Sequence, residues 1–255
     1  MFTTPAAEYM SRSLISVSPD THLDEVSHLL EVRDISSVAV VDEHGAPIGI
    51  VSSTDLLRDA FHYPGTRART ARDVMQTALI GIEHSQPIRD AAQAMVTHRI
   101  HRVLVYKGER ALGVVSTRDV MRAVLFHHID LPLSAVMTTT VETVEVGDSI
   151  ASAVARLGES NVRGLVVVDG AAPVGILTQA EALKARALPS EIQSMPVEQV
   201  MSYAVLSLPV DTPLYRVAGQ AIALRSRRVL AVEGRTLRGI ATGFDLARVA
   251  TMEVG

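Results

Sequence analysis

The hydrophobic pattern of this chain repeats itself four times. Apolar runs that end in a hydroxyl and an acid, GIVSSTD, GVVSTRD, GILTQAE and GIATGFD, start at Gly49, Gly113, Gly175 and Gly239, at intervals of 64, 62 and 64 residues. Each run has the length and β-branched content of a buried strand. Each leads into a stretch with helical apolar spacing: LLRDAF, VMRAVL, ALKARA and LARVAT. A period this regular defines the architecture before any single residue suggests a chemistry.

The repeat extends upstream. Met10, Met75, Met137 and Met201 open the copies, and Val17, Ile82, Val144 and Leu208 close a short strand seven residues later. A turn and a helical pattern follow, as in Asp24–Val32 and Ile88–Val96, then the β-rich runs SSVAVVD, HRVLVYK, RGLVVVD and RRVLAVE. A tight turn at Gly45, Gly108, Gly170 or Gly234 returns the chain to the motif strand. The predicted unit is strand, helix, strand, hairpin, strand, helix, and four of them occupy nearly all 255 residues. Connectors rich in Pro, Gly, Ser and charge separate the copies at 62–72, 126–134 and 184–196. Within the first, RARTAR (67–72) reads as a solvated basic stretch.

Composition narrows the function. Hydrophobic residues make up 47% of the chain, enough for a sizeable core, yet no apolar run reaches membrane-spanning length. MFTTPAAEYM lacks the basic and apolar regions of a signal peptide, so a cytoplasmic location is expected. Zero cysteines exclude disulfides, thiolate metal sites and cysteine nucleophiles. A net charge of −4, no Trp and few other aromatics disfavour nucleic acid as the main ligand. No GxSxG, HExxH, Walker loop or strand-linked GxGxxG is present, so no enzymatic activity, catalytic residue, catalytic cofactor or metal site is expected.

The β-rich run, the turn and the G-h-h-[ST]-x-x-[DN] entry into a helix resemble the CBS domain, over roughly residues 8–252. The resemblance implies an α/β (α+β) fold of four β-α-β-β-α repeats at 8–61, 73–126, 135–187 and 198–252. Repeats one and two, and three and four, would pair as two Bateman modules forming a flattened disc, in one chain or a homodimer. In layout the chain is similar to the regulatory gamma subunit of AMP-activated kinase. The implied ligands are adenine nucleotides (AMP, ADP or ATP) in clefts between paired repeats. The implied role is that of a stand-alone regulatory sensor with no effector domain attached, whose protein partner the sequence does not name.

The residue chemistry fits that use. A hydroxyl at a strand-to-helix junction sits among unpaired N–H groups at the positive end of the helix dipole, where a phosphate is favoured. A carboxylate accepts hydrogen bonds only, so it suits the two hydroxyls of a ribose. By the resemblance, Asp55, Asp119, Glu181 and Asp245 are the ribose-binding acids. Ser52, Ser116, Thr178 and Thr242 are phosphate-binding, joined by His101 and Arg102 in copy two and by Arg227 and Arg228 in copy four. The apolar first-strand positions Ile15, Val17, Ile80, Ile82, Leu206 and Leu208 would line the adenine.

These residues also have a plainer reading. Ser or Thr followed three residues later by an acid is a helix-capping arrangement that every helix start can use. Copy one offers Ser36 and Ser37 where copies two and four carry cations. Copy three has Glu181 in place of Asp and Glu142 in its first strand, which places its cleft behind those of copies two and four. Two other functions stay open: an interaction scaffold without ligand, and a sensor of S-adenosylmethionine or a cyclic dinucleotide. The arginines separate them, since a cationic sulfonium gains nothing from Arg102 or Arg228.

Overall fold

Each repeat forms a three-stranded sheet in which a parallel pair is joined through a helix and a hairpin adds the third strand. The computed structural model describes residues 1–12, 14–33, 35–63, 69–160, 162–186 and 188–252, without the side chains of residues 61 and 62. Repeat one comprises β1 (Ser16–Val17), α1 (Leu23–Val32), β2 (Ser37–Val41), β3 (Pro47–Ser52) and α2 (Ser53–His62). A short α3 (Ala71–Val74) leads to β4 (Gly81–Glu83), α4 (Ile88–His98), β5 (Arg102–Lys107), β6 (Arg110–Ser116) and α5 (Thr117–Phe126). Repeat three is β7 (Thr143–Glu145), α6 (Ile150–Glu159), β8 (Gly164–Asp169), β9 (Ala172–Thr178) and α7 (Gln179–Arg186). After α8 (Ser190–Gln193), repeat four is β10 (Leu206–Pro209), α9 (Leu214–Ala223), β11 (Arg228–Glu233), β12 (Thr236–Thr242) and α10 (Gly243–Val249). The fold is therefore mixed α/β, with four small sheets of order β1-β2-β3, β4-β5-β6, β7-β8-β9 and β10-β11-β12.

The hairpins follow from their glycines. Gly45, Gly108, Gly170 and Gly234 all have φ between 59° and 79°, the left-handed turn conformation that costs a side chain energy. The central strands β2, β5, β8 and β11 are apolar through their middle because both of their faces are covered there. In β8, Leu165 and Val167 face the helices of their own repeat, packing with Ala153, Leu157 and Ala182. The alternate residues Val166 and Val168 pack on Leu230 of β11. Period-two alternation thus serves two apolar environments at once.

Two compact units result, residues 1–120 and 121–252, with the boundary inside α5. Within each unit, the segment that opens one repeat packs on the other repeat. Met75 lies over Gly49, Met201 over Gly175, Met137 over Gly239, and the Ser11 backbone over Gly113. Isolated bridges Ile50–Gln76, Ile176–Ser202, Thr138–Ile240 and Ser11–Val114 mark the same four positions. Met75, Met137 and Met201 therefore pack on the sister repeat, and in repeat one the backbone after Met10 takes that place.

Two sequence expectations are corrected. Glu142 lies just ahead of β7, partly buried, where its carboxylate pairs with Arg156 of α6 at 3.4 Å. It therefore does not interrupt the apolar first strand. In RARTAR, Arg67 and Ala68 fall outside the described residues, but Arg69 is not simply solvated: it pairs with Asp59 at 2.6 Å and lies over the Tyr63 ring. Ala187, the last residue of the third expected repeat, and residues 64–68 of the first connector also lie outside the described residues. Among the described residues, no helix is long and apolar enough to cross a membrane.

Candidate functional site

All four hydroxyl–acid pairs form the same local structure. The N–H and the hydroxyl of Ser52 donate to Asp55 Oδ2, at 2.9 and 2.5 Å. Those of Ser116 reach Asp119 Oδ2 at 2.8 and 2.7 Å, and those of Thr242 reach Asp245 Oδ2 at 2.8 Å each. The Thr178 N–H and hydroxyl donate to Glu181 Oε2 in the same way. In all four copies the acid thus reaches back to the residue that heads the helix, and at Ser52 and Thr242 the bonds run both ways as a full capping box. Each hydroxyl also donates to the adjacent carboxylate and so helps to orient it.

The four acids are not equivalent. Asp55, Asp119 and Asp245 are buried at 9%, 3% and 8% exposure, whereas Glu181 is only partly buried. The second oxygen of Asp55 accepts from the Gln76 amide at 3.2 Å, and that of Asp245 pairs with Arg248 at 3.0 Å. Glu181, one methylene longer, instead lines an open cleft of about 420 Å³ in unit 2, a volume within the range of small-molecule sites, about 300–1,000 Å³.

This cleft has three chemically distinct walls. Thr178 and Glu181, at the start of α7, form one. The second is the stretch from Leu224 to Arg228 leading into β11, which brings Arg225, Arg227 and Arg228 to the opening. The third is the opening segment of repeat four, from Ser202 to Leu206, with Ile176 and Leu230 completing the apolar surface. The cations of repeat four therefore face the acid of repeat three. The acid and the cations that line this cleft thus come from different repeats.

Arg228 pairs in register with Thr242 on its own hairpin, yet its guanidinium donates to the Arg163 carbonyl at 3.3 Å. Burial lowers its pKa, Arg227 and Arg163 add to the effect, and Glu181 opposes it. From so high an ordinary value the group still keeps its charge. A cation crowded by other cations and partly desolvated is a favourable place for an anion. Arg225 adds a geometric signal. It has φ 51°, the left-handed region, and Arg99 has φ 53° at the matching helix end of unit 1.

The remaining predicted residues are placed as follows. Leu206 lines the cleft, while Leu208 and Ile82 are buried side chains. Ile15 and Val17 pack against the core of repeat one, beside Val38 and Val40, and Ile80 is partly buried just ahead of β4. In unit 1 the Arg102 guanidinium donates to Ser36 Oγ at 2.7 Å, and the His101 carbonyl receives the Thr117 N–H at 3.0 Å. Tyr203, Ser202, Ile176 and Arg225 also line the cleft but belong to none of the predicted ligand sets. Only the cation run at 225–228 marked that stretch in the sequence.

With the geometry in place, comparison with known proteins identifies the family. The CBS domain profile matches residues 6–61, 71–126 and 133–188. The chain belongs to the CBS domain family. The fourth repeat of this CBS-domain protein lies outside the matched ranges but has the same element order and sheet topology as the other three. An uncharacterized protein of Methanocaldococcus jannaschii is 25% identical over 275 residues, covering 100% of this chain and 64% of that relative. The chain thus spans less than two thirds of that relative's length. The crystal structure of protein MJ1225 from the same organism, a proposed archaeal homologue of g-AMPK, superimposes with a TM-score of 0.79 at 17% identity. It covers 96% of this chain and 99% of that one. An uncharacterized protein from Pyrococcus horikoshii gives 0.72 at 18% identity, covering 97% and 100%. At these identities the likeness to the two structures is one of fold.

Proposed function

We propose that this CBS-domain protein is a regulatory sensor of adenine nucleotides and that its ligand occupies the cleft of unit 2. The observation that carries this reading is the convergence of Glu181, of Arg225, Arg227 and Arg228, and of Ile176, Leu206 and Leu230 on one opening. A ribose diol donates to the carboxylate, phosphate oxygens accept from the guanidiniums, and the base lies on the apolar wall. Thr178 holds Glu181 in place. Three arginines against one carboxylate favour a polyanion over a cationic sulfonium. Regulation then requires only that the nucleotide prefer one state of the protein. At one hundred times its dissociation constant a ligand contributes about 2.7 kcal/mol to the state it binds.

The test is a calorimetric and thermal-shift panel of AMP, ADP, ATP, S-adenosylmethionine and cyclic dinucleotides. Binding by an adenine nucleotide, weakened about tenfold or more by Glu181→Ala and by Arg228→Ala, is the expected result. Tighter binding of S-adenosylmethionine or a cyclic dinucleotide would replace the ligand class. No binding by any of them would leave an interaction scaffold whose hydroxyl–acid pairs serve only as helix caps.

A further inference from the structure

The cleft of unit 2 carries one aromatic side chain, Tyr203, and its setting is unusual. The residue is 63% exposed although it lines a concave site. A large apolar face left to water at the mouth of a cleft gains most when a flat partner covers it. Tyr203 is also held in place. Its hydroxyl donates to Glu198 Oε1 at 3.3 Å, which tethers the far end of the ring. Its carbonyl accepts the Val205 N–H at 2.9 Å, and the Ser202 hydroxyl accepts the Ala204 N–H at 3.2 Å. The backbone around Tyr203 is thus held by local hydrogen bonds and joined to β9 through the Ile176–Ser202 bridge. A ring fixed in this way loses little freedom when a ligand arrives.

The charges beside the arginines and beside Tyr203 differ. Arg225, Arg227 and Arg228 stand on one wall, while the Tyr203 ring is tied to the carboxylate of Glu198 on another. A phosphate is drawn to the first and repelled from the second. We infer that Tyr203 is the base-stacking residue of this cleft and sets the direction in which a nucleotide enters it, base toward Tyr203 and phosphate toward the arginines. This rests on the nucleotide reading above and adds the residue that separates a nucleotide from a bare sugar phosphate.

The experiment measures AMP, ADP and ATP against ribose 5-phosphate, which has the sugar and phosphate but no base, on the wild type, Tyr203→Leu and Tyr203→Phe. Stacking on an aromatic ring corresponds to a roughly 5- to 100-fold gain per base. Tyr203→Leu should lose that factor for the nucleotides and leave ribose 5-phosphate unchanged, and Tyr203→Phe should stay within about threefold of the wild type. With no Trp and five Tyr in the chain, quenching of tyrosine fluorescence by bound nucleotide reports the contact, and it should fall in Tyr203→Leu. Nucleotide affinity that depends on Glu181 but is unchanged in Tyr203→Leu would overturn the stacking role alone. An equal loss for ribose 5-phosphate in Tyr203→Leu would also overturn it, by showing a general disturbance of the cleft. No nucleotide binding by the wild type would overturn the nucleotide reading, and the stacking role with it.

Discussion

Arg225 shows at the scale of one residue how the cleft departs from the most stable backbone. A left-handed position at a helix end is ordinarily taken by glycine, because a Cβ there costs about 1–2 kcal/mol. Here an arginine holds it, at the mouth of a cationic cleft. Arg225→Gly is therefore expected to raise the melting temperature of the protein by a few degrees. In the same variant, nucleotide affinity should drop about tenfold. Calorimetry on one preparation reads both. Gly113 presents the opposite constraint. A Cβ built on it would lie 2.2 Å from the Ser11 carbonyl oxygen, a backbone atom that cannot rotate away. Gly113→Ala should cost about 1–3 kcal/mol in urea unfolding. Gly147→Ala, which meets nothing within 4 Å, should cost less than about 0.5 kcal/mol.

At the scale of elements, each strand-to-helix junction is built around an acid that accepts from the residue heading the helix, and the copies differ in what else that acid meets. Asp119 is buried and receives the Ser116 N–H and hydroxyl ahead of α5. Asp119→Ala should cost about 1–3 kcal/mol of stability, by leaving those donors without their acceptor, and should not alter nucleotide affinity in the unit 2 cleft. The bridges Ile50–Gln76 and Ile176–Ser202 place Gln76 and Ser202 at corresponding positions. In unit 1 the longer Gln76 reaches the second oxygen of Asp55, the atom a ribose would use, while Arg102 is engaged by Ser36. Gln76→Ser is expected to free that oxygen and add one nucleotide site to the stoichiometry of the wild type. An unchanged calorimetric stoichiometry would show that Gln76 does not close the position.

For the molecule as a whole, one histidine connects stability to pH. Burial lowers the His127 pKa below its ordinary value of about 6.5. The folded state therefore binds fewer protons here than the unfolded chain, and stability rises with pH across the interval between the two values. The contribution is complete above about pH 6.5 and is lost as pH falls toward the folded value. Lowering pH from 7.5 to 5.5 should reduce the melting temperature, and His127→Gln should show a smaller reduction over the same range. Equal slopes for the two proteins would remove His127 as the cause.

The amino-acid sequence by itself determined the repeat, its element order and its turns, because these rest on local physics. Gly45, Gly108, Gly170 and Gly234 specify the hairpins, and the hydroxyl–acid spacing specifies the caps. Alternating apolar faces specify strands covered on both sides. Which groups meet across repeats was decided only by the tertiary structure. Glu181 reads in sequence as a departure that weakens its own repeat. In space it is the partly exposed acid of the unit 2 cleft, facing arginines that lie more than forty residues later in the chain. The four hydroxyls read in sequence as phosphate donors or as caps, and only the structure shows that each also donates to the carboxylate of its pair. Tyr203 and Gln76 carried no signal in the pattern at all. Their placement depends on the reciprocal packing of opening segments, a contact set by where methionine and glycine meet in three dimensions and not by any period along the chain.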